Sequence, residues 1–312
     1  MLTLREKLAG GLIGLLVGDA LGVPYEFHAR EEIPALTEIE FEPPKGFRRA
    51  HAGVPPGTWS DDGAQALVLL ASLLECGKMD LAHFAKGLVD WYDKGYMAVD
   101  GHVFDVGIQT SQAILQLQNG VSPYRAARSD TGANGNGSLM RVLPLALWHK
   151  GSDAELVADA HEQSLVTHGH KRSQICCALY CLWARNMLND VDDSWNDAVR
   201  KLRVIYGEQS PFYEELEWAI RPDESVEVQG SGYVVDSLRS ARWAMQFKTY
   251  EEVVRAAVSL GRDTDTTACI AGGVAGIRYG IDGIPERWRS SLRGSDLYQP
   301  ELERLLHWQL KA

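Results

Sequence analysis

Helical periodicity is the feature of this sequence that most limits the folds open to the chain. Apolar residues recur at i, i+3 and i+4 through most of its length, as they do along the buried face of a helix. The segments with this spacing are residues 3–17, 62–76, 80–94, 106–119, 138–149, 153–167, 171–189, 194–205, 235–247, 250–260 and 266–279. Strand-like alternation is weak and is confined to Leu36–Glu42. We therefore predict an all-α fold, formed by one domain over residues 1–312.

Several helix ends carry local signals. Ser152–Glu155 and Thr249–Glu252 have the form of capping boxes, in which side chains satisfy the free N–H groups at a helix start. Gly95, Gly151 and Gly261 stand where helices are expected to stop.

The segment 268–276 is unusual because nearly all of its residues are small. Each glycine in it costs a helix about 1 kcal/mol relative to alanine, so the segment is favoured only where neighbouring helices approach closely. We predict that this helix lies centrally and carries Asp263 and Asp265 to the mouth of a pocket at its N-terminal end.

The composition is that of an ordinary soluble protein with a sizeable core, since 45% of the residues are hydrophobic and 23% are charged. The formal net charge of −11 argues against a surface for nucleic acid or for an anionic membrane. We therefore expect neither nucleic acid nor a membrane among the partners. A substrate that carries phosphates would need local cations, metal ions or backbone N–H groups.

The five cysteines lie within apolar helical segments, which indicates buried, reduced thiols. The most apolar run near the N-terminus, Gly10–Gly18, is too short to span a bilayer and follows a charged segment without a cleavage-site pattern. These features predict a cytoplasmic protein.

Two distant segments share a combination of neighbouring aspartates and a hydroxyl. Ser60–Asp62 and Asp263–Thr266 both stand at the start of an apolar helical run. For either cluster alone, a capped helix start with acidic residues in its first turn is the commoner explanation. If the clusters meet, four carboxylates would repel one another unless cations neutralise them. All-oxygen clusters suit hard cations such as Mg²⁺, Mn²⁺ or Ca²⁺, so we predict a site for two metal ions.

Two further carboxylates are candidates for the same pocket. Glu26 ends the segment Gly18–Glu26, which leads from the first helix into a polar loop, and it is either a solvated loop residue or a mobile carboxylate that reaches the metals. Asp105 stands at a helix start and is either an ordinary helix-start residue or a group that pairs with a guanidinium or acts as a general acid.

Candidate substrate-binding residues lie in the second half of the chain. The loop Asp130–Ser138 is rich in Gly and Asn, which makes it either an ordinary capped turn or an anion cradle of backbone N–H groups. His168 is in a His-Gly-His segment whose spacing does not suit a metal pair, although one histidine could bond a ligand. Tyr233 either packs in the usual way or stacks on a base.

In this order, these segments resemble the ADP-ribosylglycohydrolase family, which contains the dinitrogenase reductase-activating glycohydrolases. The matching segments are Gly18–Glu26, Gly57–Asp62, Phe104–Gly107, Gly135–Arg141, Thr167–His168 and Asp263–Thr267. Each is short, but they are spread over nearly the whole chain and their ordered set is specific. The resemblance implies an all-α domain of the ADP-ribosylglycohydrolase type, with two Mg²⁺ or Mn²⁺ ions in a cleft.

The resemblance also implies roles for individual residues. The implied metal ligands are Ser60, Asp61, Asp62, Asp263, Asp265 and Thr266. The residues implied to hold the diphosphate of ADP-ribose are Asn136, Gly137 and Ser138, with His168 beside the bound molecule. Glu26 matches a loop glutamate that gates the metal site in some members, and Asp105 matches an aspartate near the scissile bond in the arginine-type bacterial branch.

Two positions depart from the family pattern. Ser60 stands where many members have threonine, and it keeps the hydroxyl ligand. Arg262 stands where the residue is usually small or acidic, which changes the charge beside Asp263.

Our hypothesis is that the protein removes ADP-ribose from modified protein side chains by cleaving an N-glycosidic bond, and arginine is the favoured side chain. In this hypothesis Asp62 helps to deprotonate a water molecule, Asp105 holds the guanidinium and assists its departure, and Glu26 is the third catalytic carboxylate. One alternative is a hydrolase of O-linked or small-molecule ADP-ribose conjugates, and another is an inactive ADP-ribose-binding member of the same fold. The Phe104–Gly107 segment favours arginine.

Overall fold

α-Helices form all the long elements of the chain. The computed structural model describes residues 2–225 and 227–311, and within them β-structure is limited to two isolated bridges, Arg128 with His168 and Gly135 with Tyr233. The helices of the described residues are α1 (Leu4–Gly22), α2 (Asp61–Cys76), α3 (Leu81–Lys94), α4 (Ile108–Gln118), α5 (Leu143–Trp148), α6 (Asp153–Leu165), α7 (Lys171–Leu188), α8 (Ser194–Tyr206), α9 (Pro211–Glu215), α10 (Val234–Ala244), α11 (Tyr250–Val258), α12 (Thr264–Tyr279), α13 (Glu286–Ser291) and α14 (Ser295–Leu310). The all-α prediction is confirmed.

The predicted segments differ from the observed elements in three places. The weak strand candidate Leu36–Glu42 was wrong, because this segment begins with a turn of 3₁₀-helix, Leu36–Glu38. The predicted helix 138–149 shortens to α5, whose Pro144 lies in its first turn. Helices α9, α13 and α14 were not predicted, since the first two have only five and six residues and the third contains a proline.

The helix-end signals were mostly right. Both predicted capping boxes form, before α6 and before α11. Gly95 closes α3 in the left-handed conformation, with φ 71°, as predicted. Gly151 was wrong as a stop, because α5 already ends at Trp148. Gly261 is left-handed, with φ 73°, but it lies in the loop after α11, whose last residue is Val258.

Helices α1 and α12 pack antiparallel through glycines. A Cβ atom at Gly10 would overlap the carbonyl group of Gly276, and one at Gly14 would lie 2.5 Å from the carbonyl oxygen of Gly272. Further along, a Cβ atom at Gly18 would overlap the carbonyl group of Ala268. The small residues of α12 therefore serve close backbone contact, and the predicted central position of this helix is confirmed.

The apolar N-terminal run belongs to a longer buried helix. The segment Leu4–Tyr25 is long and apolar enough, by length and composition, to cross a membrane, yet its apolar window is wholly buried inside the structure. Its hydrophobicity is thus explained by contact with α12 and the surrounding core. All five cysteines are free, and four of them are buried.

Candidate metal centre and active site

Three helix ends converge at one side of the core. The antiparallel packing brings the last turn of α1 to the first turn of α12, where the Thr264 hydroxyl donates to the carbonyl oxygen of Gly22 at 2.8 Å. The carboxylate of Asp19, near the end of α1, accepts the backbone N–H groups of Ser60 at 2.9 Å and Gly63 at 2.7 Å. These bonds fix the N-terminal ends of α2 and α12 beside each other.

The two acid–hydroxyl clusters of the sequence therefore lie together. The hydroxyl of Thr266 donates to Asp62 Oδ1 at 3.3 Å, which links residues 204 positions apart. Asp61, Asp62, Asp263 and Thr266 line a cavity of about 320 Å³. Asp265 is completely buried beside them, with one of its oxygens accepting the backbone N–H of Thr266 at 2.9 Å.

Burial sets the electrostatics of this centre. Loss of water raises the pKa of Asp61, Asp62 and Asp265 well above the ordinary value, and the neighbouring carboxylates raise each pKa further. The same causes raise the pKa of Glu26 to about 10. These buried carboxylates can all be ionised at once only if positive charge lies among them.

The donor set fits divalent cations. Asp62 Oδ2 and Asp265 Oδ2 are buried and have no hydrogen-bond partner among the described residues, which is costly unless something else meets them. Glu26, Asp263 and Asp265 each offer a carboxylate oxygen within 4.8 Å of the others. Carboxylate and hydroxyl oxygens are the ligands that Mg²⁺ and Mn²⁺ prefer. Ser60 acts as the N-cap of α2, with its hydroxyl accepting the N–H of Asp62 at 3.3 Å.

A buried polar chain supports Asp61 from behind. Gln65 donates to Asp61 Oδ2 at 2.8 Å and accepts from the guanidinium of Arg141 at 2.9 Å. Arg141 is fully buried, bonds the side chain and carbonyl of Gln163, and lies 5.1 Å above the ring of Phe84. These hydrogen bonds orient the carboxylate of Asp61 and place the cation of Arg141 behind it.

Glu26 and Asp105 meet at His51. The His51 Nε2 atom lies 2.6 Å from Glu26 Oε2 and 3.8 Å from Asp105 Oδ1. The ring of His51 packs between Phe27 and Phe104, with centroid distances of 5.5 and 5.1 Å. Asp105 has a positive φ of 58°, and burial raises its pKa to about 6. Both predicted carboxylates line the same cavity as the aspartates.

The Gly/Asn loop forms another part of the cavity lining. The Asn136 amide donates to Asp263 Oδ2 at 2.8 Å and to the Ser237 hydroxyl at 3.0 Å. Gly137 lies against the ring of His168, and a Cβ atom there would come within 2.8 Å of His168 Cε1. Asn136, Gly137 and His168 thus line the same cavity as the aspartates.

His168 is held in its neutral form. Its Nδ1 atom is 2.8 Å from the Thr167 hydroxyl, and the residue is 2% exposed. Burial, with a smaller contribution from Arg141, lowers the pKa of His168 to about 3. The ring can therefore exchange neutral hydrogen bonds with a ligand, and it carries no charge.

Two predicted substrate-binding side chains lie outside the cavity lining. Ser138 is fully buried, and its hydroxyl accepts from Ser164 at 2.9 Å, so this side chain faces the core. The Tyr233 hydroxyl accepts from Arg172 at 3.0 Å, and the neighbouring Gly232 lines the cavity in its place.

The departure at Arg262 is also accounted for. This residue adopts a positive φ of 63°, and its guanidinium donates to Gln229 Oε1 at 2.8 Å. Its backbone N–H bonds the His28 carbonyl oxygen, while its own carbonyl oxygen accepts from the N–H of Phe27. The cation therefore bonds away from Asp263, and the backbone ties the Glu26 loop to the start of α12.

Sequence reasoning missed Asp19, His51, Gln65 and Arg141 as parts of the site. For Asp19 there was a signal, since it is the only charged residue inside a long apolar run. For His51, which lies in a loop without periodicity, there was none. Gln65 and Arg141 could be linked only by knowing that α2 and the loop before α5 touch.

Together, the fold and the cavity define an all-helical protein with a buried, carboxylate-lined cleft. The sequence model of the ADP-ribosylglycohydrolase family matches residues 1–311, and the chain belongs to this family.

Individual relatives match along most of the chain. An ADP-ribosylarginine hydrolase Tri1 of Serratia proteamaculans is 30% identical over 293 residues, which cover 92% of this chain and 75% of the relative. An ADP-ribosyl-[dinitrogen reductase] glycohydrolase of Rhodospirillum rubrum is 27% identical over 298 residues, covering 93% and 91%. A solved structure described as an ADP-ribosylglycohydrolase-related protein complex matches with a TM-score of 0.77 and 29% identity, covering 98% of this chain and 99% of the other.

Proposed function

We propose that this protein hydrolyses the N-glycosidic bond between ADP-ribose and an arginine side chain of a modified protein, and that it needs two divalent ions, Mg²⁺ or Mn²⁺. The observation that carries the proposal is the meeting of the two clusters, with Thr266 bonded to Asp62 and one oxygen each of Asp62 and Asp265 left without a hydrogen-bond partner in the described part of the chain. The name of the Serratia relative supports arginine as the linkage.

The residues that would hold the ions are Ser60, Asp61, Asp62, Asp263, Asp265 and Thr266. When bound, divalent ions neutralise these carboxylates and act as Lewis acids toward hydroxyl groups of the ribose and toward water. Two of these carboxylates are already held in position by hydrogen bonds, Asp61 by Gln65 and Asp263 by Asn136.

The wall formed by Asn136, Gly137 and His168 would bind the ADP-ribose moiety. Without a Cβ atom at Gly137, the backbone can pass close to His168, and a diphosphate can approach the N–H groups of the loop. Ser138 would contribute through its backbone, since its hydroxyl is bonded to Ser164. Tyr233 would border the cleft through its neighbour Gly232.

The reaction is a substitution at the anomeric carbon of the ribose. Water forms the new C–O bond as the C–N bond to the guanidinium breaks, through a transition state with oxocarbenium character. Asp62 would help to accept the proton that the water loses. Asp105 would hold the guanidinium and return a proton to the departing nitrogen. Glu26, the third carboxylate, would complete the wall beside the scissile bond.

The test is release of ADP-ribose from an arginine-modified protein, with added Mg²⁺ or Mn²⁺ and with EDTA. We expect release with metal, none with EDTA, and recovery when metal is restored. A serine-linked substrate is assayed in parallel. Preference for serine would favour the alternative of O-linked conjugates, whereas ADP-ribose binding without cleavage of either substrate would favour an inactive binding protein.

A further inference from the structure

A second cavity lies behind Glu26. It has a volume of about 580 Å³, larger than the 320 Å³ of the carboxylate cleft, and Glu26 lines both. The wall between them includes the hydrogen-bonded pair of Glu26 and His51, with Asp105 3.8 Å from His51 on the cleft side. The second cavity is therefore next to the place where the proposed function puts the guanidinium of the substrate.

The lining of this second cavity combines cations with exposed aromatic surface. Arg49 reaches Glu42 at 3.1 Å and the Val54 carbonyl oxygen at 2.8 Å. Arg48 is exposed, and it takes part in no hydrogen bond or ion pair with a described side chain. Phe27, held at a positive φ of 64°, is 70% exposed at the same cavity. Glu32 also lines this cavity, where its carboxylate accepts the backbone N–H of Ala29 at 2.7 Å. In a chain of net charge −11, the positive charge of Arg48 beside the acidic cleft is a local exception.

We propose that this second cavity receives the polypeptide on either side of the modified arginine, and that Arg48 and Arg49 select acidic residues in it. The inference rests on the proposed function and names the substrate class more closely. An arginine whose guanidinium lies at Asp105, 3.8 Å from His51, would place the adjoining backbone next to the second cavity, which His51 also lines. The chain as a whole, with its net charge of −11, repels an acidic polypeptide, and cations at the second cavity reverse that repulsion for the segment that lies on them.

The experiment uses two ADP-ribosylarginine peptides of equal length, one with glutamates on both sides of the arginine and one with glutamines. The quantity measured is the ratio of kcat/KM for the acidic peptide to that for the neutral peptide. For the wild type we expect a ratio above one, which falls as salt is added. Arg48→Glu replaces attraction by repulsion and should lower the ratio by about tenfold.

Lys78→Glu is the matched control. It makes the same charge change at an exposed lysine just beyond the C-terminal end of α2, whereas the site lies at the N-terminal end of that helix. A helix of 16 residues separates the two ends by about 24 Å, so this variant should keep the wild-type ratio. The inference would be overturned by a wild-type ratio of one. It would also be overturned if both variants changed the ratio equally.

Failure of the proposed function is distinguishable from failure of the inference. If neither peptide is cleaved by any form of the protein, the proposed function fails, and fluorescence anisotropy of the same labelled peptides decides the inference. Tighter binding of the acidic peptide that is lost in Arg48→Glu supports the inference, and equal binding overturns it. A single-stranded RNA that displaces the acidic peptide more strongly than polyglutamate of equal charge would also overturn it, by assigning these arginines to nucleic acid.

Discussion

The carboxylates of the cleft differ in what holds them. Asp61 is bonded to Gln65, Asp263 to Asn136 and Glu26 to His51. Asp62 and Asp265 each keep one buried oxygen without a hydrogen-bond partner among the residues that the structure describes. A buried acceptor left unpaired costs about 1–3 kcal/mol, so a fold tolerates two of them only where something else binds. These two oxygens point to the cations more directly than the acidic composition does.

Asp105 should matter for turnover and little for binding of the product. Because it would assist only the departing nitrogen, Asp105→Ala should lower kcat by about 10²–10⁴-fold. The affinity for ADP-ribose, measured by calorimetry with metal present, should stay close to that of the wild type. Asp282→Ala, at a side chain that is 79% exposed, is the control. Equal loss of turnover and affinity would refute this role.

For single residues, the sequence indicated which side chains are candidates for the site, but it did not indicate which way those side chains face. Asp62, Asp263 and Asp265 could be singled out because two similar clusters are improbable as helix starts alone. The inward turn of Ser138 could not be foreseen, since it depends on Ser164 from another helix. The bond between Asn136 and Asp263 likewise joins segments 127 positions apart.

Among the elements, the start of α2 depends on a residue from another helix. Ser60 caps one N–H group, but Asp19 accepts two more, and it stands in α1. Removing this carboxylate leaves two buried donors unpaired, although it also removes one charge from a crowded centre. We therefore expect Asp19→Ala to lower the free energy of unfolding by about 1–3 kcal/mol. The measurement is urea unfolding.

The same variant should weaken metal binding, because the first turn of α2 carries Asp61 and Asp62. Mn²⁺ titration should give a larger Kd for Asp19→Ala, and Asp19→Asn, which keeps one acceptor, should lie between it and the wild type. If both variants bind Mn²⁺ as the wild type does, Asp19 does not position these ligands.

The glycine contact between α1 and α12 sets a second test. Gly18→Ala would push a methyl group into the carbonyl of Ala268, and we expect a loss of about 3 kcal/mol or more in unfolding free energy. Gly53→Ala is the matched control, because no atom of residues 2–225 or 227–311 lies within 4 Å of a Cβ atom there and its φ is not positive. This control should change stability by less than about 0.5 kcal/mol. Similar values for the two variants would show that the helices can separate at little cost.

Element by element, predictability followed the strength of the local pattern. Long amphipathic helices such as α3 were found with nearly correct bounds, because their periodicity is repeated over several turns. Short helices, and α14 with its internal Pro300, give weak patterns and were missed. The glycines of α1 recur every four residues, yet only the structure identifies α12 as their partner.

On the scale of the whole molecule, the buried carboxylates link stability to pH when metal is absent. The folded-state pKa values of Glu26, Asp19 and Asp105, about 10, about 7 and about 6, lie above the ordinary values of 4.5 and 3.8. Between these ordinary values and the raised ones, the folded chain binds more protons than the unfolded chain. Its stability therefore falls as the pH rises through this window.

Thermal unfolding of the EDTA-treated protein tests this linkage. The melting temperature should be several degrees higher at about pH 6 than at about pH 8.5. Saturating Mg²⁺ should raise it more at the higher pH, because metal binding favours ionised carboxylates. A melting temperature of the metal-free protein that is constant or increases with pH would contradict the electrostatic account.

The antiparallel pairing of the first helix with the twelfth also has a consequence for synthesis. The hydroxyl of Thr264 closes on Gly22 across 242 residues of chain, so neither the cleft nor the shelter for α1 exists before most of the polypeptide has left the ribosome. A nascent or prematurely terminated chain would expose the apolar, glycine-lined surface of α1, because α12 would not be there to cover it. Such a chain would also lack the carboxylate centre. The centre can therefore form only after α12 has been translated.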